Sequence, residues 1–317
     1  MGQQCSGNCS TMQRVFSERD KEYVPCAICG DSHPRFLLSH SAFRIVRCAR
    51  CGLVFVNPRL RLPLIESEYG PQFDGFDPKH TGKKLRTARK LICQIERFKK
   101  KGRLLEIGCG TGNFLQTALE KNWEVEGTEI SDFAVRVVHD KLGIKIHRGP
   151  IERLPLQPAS FDVVCLFEVI EHLTHPLASM RRVAQLLRPG GLLALSTPNI
   201  ETLVFKYVGK KYYQYFPTGH LYYFSPLTLK HLLQTAGFEI IEIRTKNEDI
   251  SLLFRRILST FGVCALHQEE GSAERGDSVA FRVAKALFYR LFAAVVRKIV
   301  IPITGSGRQI TLFAKRR

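Results

Sequence analysis

Residues 103–114 read RLLEIGCGTGNF: an apolar run closes on the carboxylate of Glu106, and Gly108, Gly110 and Gly112 follow at alternate positions. Glycines placed this way permit tight turns and close approach of the backbone to a ligand, which a nucleotide cradle requires. A dinucleotide fingerprint would read G-x-G-x-x-G. Here Asn113 stands in its third glycine slot, and the Lys-Ser/Thr pair of a phosphate-binding P-loop does not follow. A ribose needs an acidic acceptor about 20 residues further on. Glu129 closes the segment WEVEGTE, 21 residues after Gly108, and a carboxylate there can take both hydroxyls in charge-assisted hydrogen bonds. Loop and carboxylate are weak signals singly; in this order and spacing they point to a nucleoside-bearing ligand.

A second constellation is metal-binding in type. Cys26-x-x-Cys29 and Cys48-x-x-Cys51 are separated by eighteen residues, and a glycine (Gly30, Gly52) follows each pair. Four thiolates at this spacing form a closed tetrahedral zinc site, structural rather than catalytic. His33 is read as a surface-loop residue. The remaining cysteines (Cys5, Cys9, Cys93, Cys109, Cys165 and Cys264) are scattered, as buried thiols of a reducing compartment are.

These residues need elements to position them. Apolar runs predict strands over 103–107, 124–128, 144–147, 161–167 and 192–197, and helical periodicity predicts helices over 112–120, 132–141 and 176–187. Strand and helix alternating in this way imply a parallel sheet covered on both faces. Ser225-Pro226 opens a further helix, followed by strands over 239–245 and 309–315. The simplest topology makes those last two strands neighbours, with the helical stretch between them inserted. An amphipathic helix over 83–101 leads into the first core strand.

The glycine turn after the first strand, with Glu106 before it and Glu129 beyond, resembles the AdoMet loop of class I methyltransferases. Further matches are IERLPLQPASFDVVCLFEVIEHL to the family's strand-four region, LLRPGGLLALSTPN to strand five and GHLYYFSPLTLKHLLQTAGFEI to the segment before strand six. The resemblance covers about residues 104–246. It implies an α/β, Rossmann-like sheet of seven strands, one of them reversed, with AdoMet as cofactor. It implies that Glu106 and the backbone of Gly108, Cys109, Gly110 and Gly112 face the methionine part, and that Glu129 takes the ribose. Ile130 and Phe167 complete the cofactor set, and Ile151 and Glu152 border the adenine, although Pro150 departs from the family's usual acidic residue. His172 in FEVIEHL and His220 in GHLYYFS are the catalytic candidates. His220 ranks first as the base and His172 as a positioning residue, while Glu168 and Glu171 shape the pocket. Strand four lacks the Asn/Asp-Pro-Pro-aromatic motif common in methylases of base amino groups, which counts against that substrate class.

The core resembles ubiquinone-pathway O-methyltransferases, although those lack a zinc module of this kind. The acceptor expected is therefore an oxygen of a small or lipid-linked molecule, a quinone precursor or a sugar. The runner-up is a sugar C- or N-methyltransferase; outside that class stands an RNA-binding or RNA-modifying protein using the ribbon and the basic C-terminal region, with nucleic acid ranked below the small acceptor. The expected organisation is a flexible tail (1–22), a zinc ribbon (23–59), a linker with lead-in helix (60–101), the methyltransferase core (102–247), a basic amphipathic helical insertion (248–306) and the last core strand (307–317).

The 317 residues carry a net charge of +18, and from Ser251 to Arg317 twelve Lys/Arg face four Asp/Glu. Such a surplus suggests an anionic partner; solubility is the competing explanation. Within 279–301, basic and aromatic-aliphatic residues segregate, as in a helix lying in a membrane interface or packed on a protein surface. The opening MGQQCS fits an N-myristoylation pattern and is read as coincidence. No long apolar run or signal-type start occurs, so the expected location is the cytoplasm, with peripheral contact at the inner face of the membrane as an option through 279–301. Oligomeric state is left open.

Overall fold

The structure, a computed structural model, describes residues 16–68, 81–208, 217–246 and 279–317, with Ile250 and Phe254 besides. Expectations placed on residues 1–15 and on most of 247–278 lie outside these, including MGQQCS, Cys5, Cys9 and Cys264.

The N-terminal module contributes β1 (Lys21–Glu22), β2 (Arg35–His40), β3 (Phe43–Arg47), β4 (Val54–Val56) and β5 (Arg59–Leu60). Helices α1 (Leu62–Glu68) and α2 (Thr81–Ile95) lead to β6 (Arg103–Ile107), α3 (Asn113–Glu120), β7 (Glu124–Glu129) and α4 (Asp132–Leu142). Then come β8 (Ile146–Arg148), β9 (Phe161–Phe167), α5 (Pro176–Leu186), β10 (Leu187–Pro198), β11 (Tyr222–Tyr223), α6 (Pro226–Thr235) and β12 (Phe238–Lys246). The chain closes through α7 (Val279–Val295), a π-helical turn over Val296–Val300, α8 (Ile301–Thr304) and β13 (Gln309–Arg316).

Seven strands form the main sheet in the order β8-β7-β6-β9-β10-β13-β12, and β13 runs antiparallel to both neighbours. It is the one reversed strand, and the helical stretch before it is the insertion that the sequence implies. Most bounds fall within a residue or two of expectation. Two differ more. The helix expected to reach residue 101 ends at Ile95, where the chain turns and Phe98 packs its ring on Phe313 at 5.1 Å. Strand β10 extends back through the Arg188-Pro189-Gly190-Gly191 turn to Leu187, with a register irregularity between Leu187 and Leu192 that accommodates it.

Alternation across the pleat sorts the sheet's apolar residues into two cores. Leu105, Val164, Leu166, Leu193 and Leu195 join one cluster; Leu104, Val163, Cys165, Leu192, Ala194 and Phe313 join the other. Helix starts and ends follow local chemistry. Ser131 caps α4 by accepting the Ala134 N–H, and Gly143 ends it in left-handed conformation. Ser225 and Thr228 form a capping box ahead of α6, with Pro226 at its first turn.

The N-terminal module is joined to the core by backbone hydrogen bonding. Its sheet has the order β11-β4-β3-β2, so its fourth strand comes from beyond β10, with Tyr222 opposite Phe55 and Tyr223 opposite Val54. Ile45, Val54 and Phe55 share one apolar cluster with Phe224, Leu229 and Leu233.

Candidate active site

The glycine loop sits at the carboxyl edge of β6. The N–H groups of Gly108 and Cys109 donate to the Thr128 carbonyl (2.8 and 3.2 Å), which ties the loop to β7. Gly108 has φ +67°, and a Cβ there would lie 2.6 Å from Val169 Cγ2. Gly110 has φ +50° with nothing within 4 Å of an added Cβ, so its backbone faces open space. That combination of one packed and one open glycine is what a ligand cradle requires.

Glu129, at the tip of β7, turns its carboxylate onto this loop. One oxygen accepts from Gly110 N–H (2.9 Å), the other from Ile130 and Ser131 N–H (2.7 and 3.1 Å). Glu106 is buried at 5% exposure, and its Oε2 meets no donor from the chain. Burial first, and then the facing Glu129 charge, push its carboxyl well above the usual carboxylate range. A buried, unpartnered carboxylate oxygen beside an open glycine turn matches a cationic, hydrogen-bond-rich ligand such as the methionine part of AdoMet. The residues present therefore fit that cofactor.

These groups wall a cavity of about 1090 Å³. Among the sequence-predicted cofactor residues, Glu106, Gly108, Cys109, Gly110, Glu129, Ile130, Ile151, Glu152 and Phe167 all line it. Gly112 does not line it. It sits at the start of α3 with φ +72°, where a Cβ would meet Val138 Cγ2 at 3.0 Å, so its task is to let loop and α4 pack. The Cys109 thiol is part of the apolar core, and burial raises its pKa far above the ordinary thiol value. Ile151 is buried, Glu152 accepts a hydrogen bond from Ser179 Oγ, and Phe167 meets Phe114 edge-on at 4.9 Å.

On its other side the cavity continues to His172, Leu173 and Thr174, and to Leu62, Ile65, Lys83, Thr87 and Leu91 of α1 and α2. Sequence reasoning identified the amphipathic stripe of α2 without assigning it to the site. His172 lines the cavity; the His220 ring lies edge-on to it, centroids 4.7 Å apart, and is not among the cavity's lining residues. Because a carbonyl only accepts, His172 Nδ1 carries the proton donated to Gly219 O (3.0 Å), which leaves the lone pair on Nε2. Burial, then the His220 ring, lower the His172 pKa to about 3; burial lowers that of His220 to about 4. Glu171 lies behind them, accepting from Thr197 Oγ1 (2.9 Å), with Oε1 unpartnered. Glu168 lines the cavity at φ +57°, its carboxylate held by Ser196 Oγ (2.7 Å) and Gln309 Nε2 (3.0 Å). Of the four non-glycine residues with positive φ among the described residues, Glu168 is the one that lines the cavity.

The cysteines converge as their spacing requires. Cys26 and Cys51 sulfurs are 3.4 Å apart, those of Cys29 and Cys48 3.5 Å, and all four lie within 4.8 Å of one another. A tetrahedral zinc with Zn–S of about 2.3 Å would space its sulfurs by about 3.8 Å, so the set fits such an ion. A disulfide, at about 2.05 Å, does not describe it. His33 is 95% exposed, away from the cluster's interior. The module bears directly on the site through Arg59, which donates to the Thr174 carbonyl (2.9 Å) next to the cavity and pairs with Glu22 (3.0 Å). Tyr222 Oη donates to the same carbonyl (3.2 Å).

A glycine loop clamped by a carboxylate at the carboxyl edge of a seven-stranded sheet with one reversed strand is the architecture of a class I AdoMet-dependent methyltransferase core. The methyltransferase-domain family model matches residues 73–243, more than half of the 317, and the chain belongs to that family. Similar proteins include the ubiquinone biosynthesis O-methyltransferase of Nitrosospira multiformis, 30% identical over 152 residues, which are 44% of this chain and 64% of that one. A probable S-adenosylmethionine-dependent methyltransferase of Mycolicibacterium smegmatis is 34% identical over 138 residues, 43% of this chain and 52% of the other. The chain thus spans less than two thirds of the length of these relatives. Among solved structures, a SAM-dependent methyltransferase from Archaeoglobus fulgidus gives a TM-score of 0.49 at 18% identity, covering 74% of this chain and 94% of that one.

Proposed function

We propose that the chain transfers a methyl group from AdoMet to an oxygen of a small or lipid-linked molecule, such as a quinone precursor or a sugar. The observation that carries this reading is the continuity of one cavity from Glu129 and the glycine loop to His172, with room for cofactor and acceptor together. The relatives named as ubiquinone O-methyltransferases support oxygen as the acceptor atom. AdoMet, when bound, supplies a methyl group already activated on a sulfonium. The chain's own residues have then to hold, orient and deprotonate. In this reading Glu129 and Ile130 take the ribose, Glu106 and the backbone of Gly108, Cys109 and Gly110 hold the methionine part, and Ile151, Glu152 and Phe167 border the adenine.

The sequence ranks His220 first as the base; we assign that step to His172, the ring at the cavity wall, with His220 as its support. A ring kept neutral by burial can take a proton at any physiological pH, but a pKa of about 3 makes it a weak base. Such a base suits an acidic hydroxyl, phenolic or enolic, better than an aliphatic alcohol. Cys26, Cys29, Cys48 and Cys51 would hold a structural zinc whose purpose is to stiffen the acceptor side through Arg59 and β11.

Methyl-labelled AdoMet offered with soluble and membrane extracts tests the reading. Label should enter a small or organic-soluble acceptor, and His172→Gln should lower kcat by roughly 10²–10⁴ while leaving cofactor affinity in place. Label in RNA, or in no pool, would overturn the proposed chemistry. An unimpaired His172→Gln enzyme would overturn the base assignment alone.

A further inference from the structure

The C-terminal helical stretch presents an outward face that the methyltransferase reading leaves unused. Leu287, Leu291, Val295, Ile299 and Ile303 follow one another at four-residue spacing, with exposures of 59, 65, 41, 52 and 78%. Phe288 beside them is 53% exposed. The opposite face is anchored: Ala293, Val296 and Ile301 are buried with Leu203, Val204 and Ile250, and Phe292 stacks on Phe254 at 5.5 Å. The ridge is therefore not a helix awaiting its core; it already has one. Arg290, Arg297 and Lys298 are exposed alongside it, and the last 39 residues contain nine Lys/Arg and no Asp/Glu.

We propose that this face of α7, the following turn and α8 is a membrane-binding surface that lies flat on anionic phospholipid headgroups. An exposed aliphatic ridge bordered by cations, with no anion along it, is complementary to a negatively charged interface with hydrocarbon beneath. A second copy of the chain would set like charge against like charge with no counter-charge on this stretch. A nucleic acid would satisfy the cations and leave the ridge in water. Among the described residues, no helix is long and apolar enough to cross a membrane, so the contact is peripheral. Leu203 and Val204 follow the carboxyl end of β10, so the face lies on the sheet edge that carries the cavity.

Flotation of the full-length protein with vesicles of phosphatidylcholine alone, or with about one-third phosphatidylglycerol, tests this without cofactor or acceptor. The anionic vesicles should retain at least roughly tenfold more protein, an excess that high salt removes. Leu291→Gln with Val295→Gln should reduce that retention roughly tenfold; these side chains are exposed, so the fold is unaffected. Arg290→Gln with Arg297→Gln and Lys298→Gln should abolish the preference for anionic lipid. Equal or absent retention on both vesicles overturns the proposal. So does light scattering that shows a dimer dissolved by the Leu291/Val295 change, since the ridge would then be a self-association surface.

Discussion

Glu129 accepts three backbone N–H groups through its two oxygens, so its conformation is fixed before any ligand arrives. Replacing it by alanine would remove the proposed ribose acceptor and free the loop that it clamps. AdoMet affinity measured by calorimetry should fall by about 1–3 kcal/mol; unchanged affinity would refute the ribose role. His172 and His220 make a second prediction at this scale. Their folded pKa values, about 3 and about 4, lie below an unfolded value near 6.5, so the unfolded chain binds more protons in between. The stability that each contributes is complete above pH 6.5 and is lost as pH falls toward those values, at up to about 1.4 kcal/mol per pH unit. Buried Glu106 and Glu171 work in the opposite sense, since their raised pKa values favour the folded chain at low pH. The comparison to make is therefore between variants: His172→Gln should lose less melting temperature than the parent between pH 7 and 4.5. An identical pH profile would show that the ring is not the buried neutral group described.

At the scale of elements, the convergence of the four cysteines and the shared strand β11 would make the influence of a zinc ion bound there local but consequential. Chelation should expose residues 23–59 to proteolysis and impair acceptor turnover, with AdoMet affinity retained, because Arg59 and Tyr222 reach Thr174, on the side proposed for the acceptor, rather than the glycine loop. Protein purified without chelator and found free of zinc would remove the basis for this. The same elements show what a single sequence reveals. Strand β9 is legible because burial on both faces leaves Val163–Phe167 apolar without a break, and the loop with Glu129 is legible because its parts lie within about 20 residues of one another. The cavity wall made by Leu62, Ile65 and Leu91 is not, since only packing brings α1 and α2 to the glycine loop. Nor is β11, whose two residues show no periodicity and whose partner β4 lies more than 160 residues earlier. Which histidine faces the cavity depends on the packing that sets His172 against the Gly219 carbonyl; GHLYYFS contains that glycine, but neither it nor FEVIEHL reveals the contact between them.

At the scale of the whole molecule, charge and apolar surface are distributed unevenly. The basic C-terminal stretch and the cavity share one edge of the sheet, while the zinc-type module braces that edge from the other end of the chain. The union of module and core has a practical corollary for anyone dividing the protein. A fragment beginning after residue 60 would strip β4 from β11 and uncover Leu221, Tyr222, Tyr223 and Phe224, each at most 3% exposed in the intact chain. That fragment would present an aromatic run on an unguarded strand edge, the usual template for edge-to-edge aggregation. It should precipitate or self-associate in sedimentation experiments under conditions where the intact chain stays dispersed.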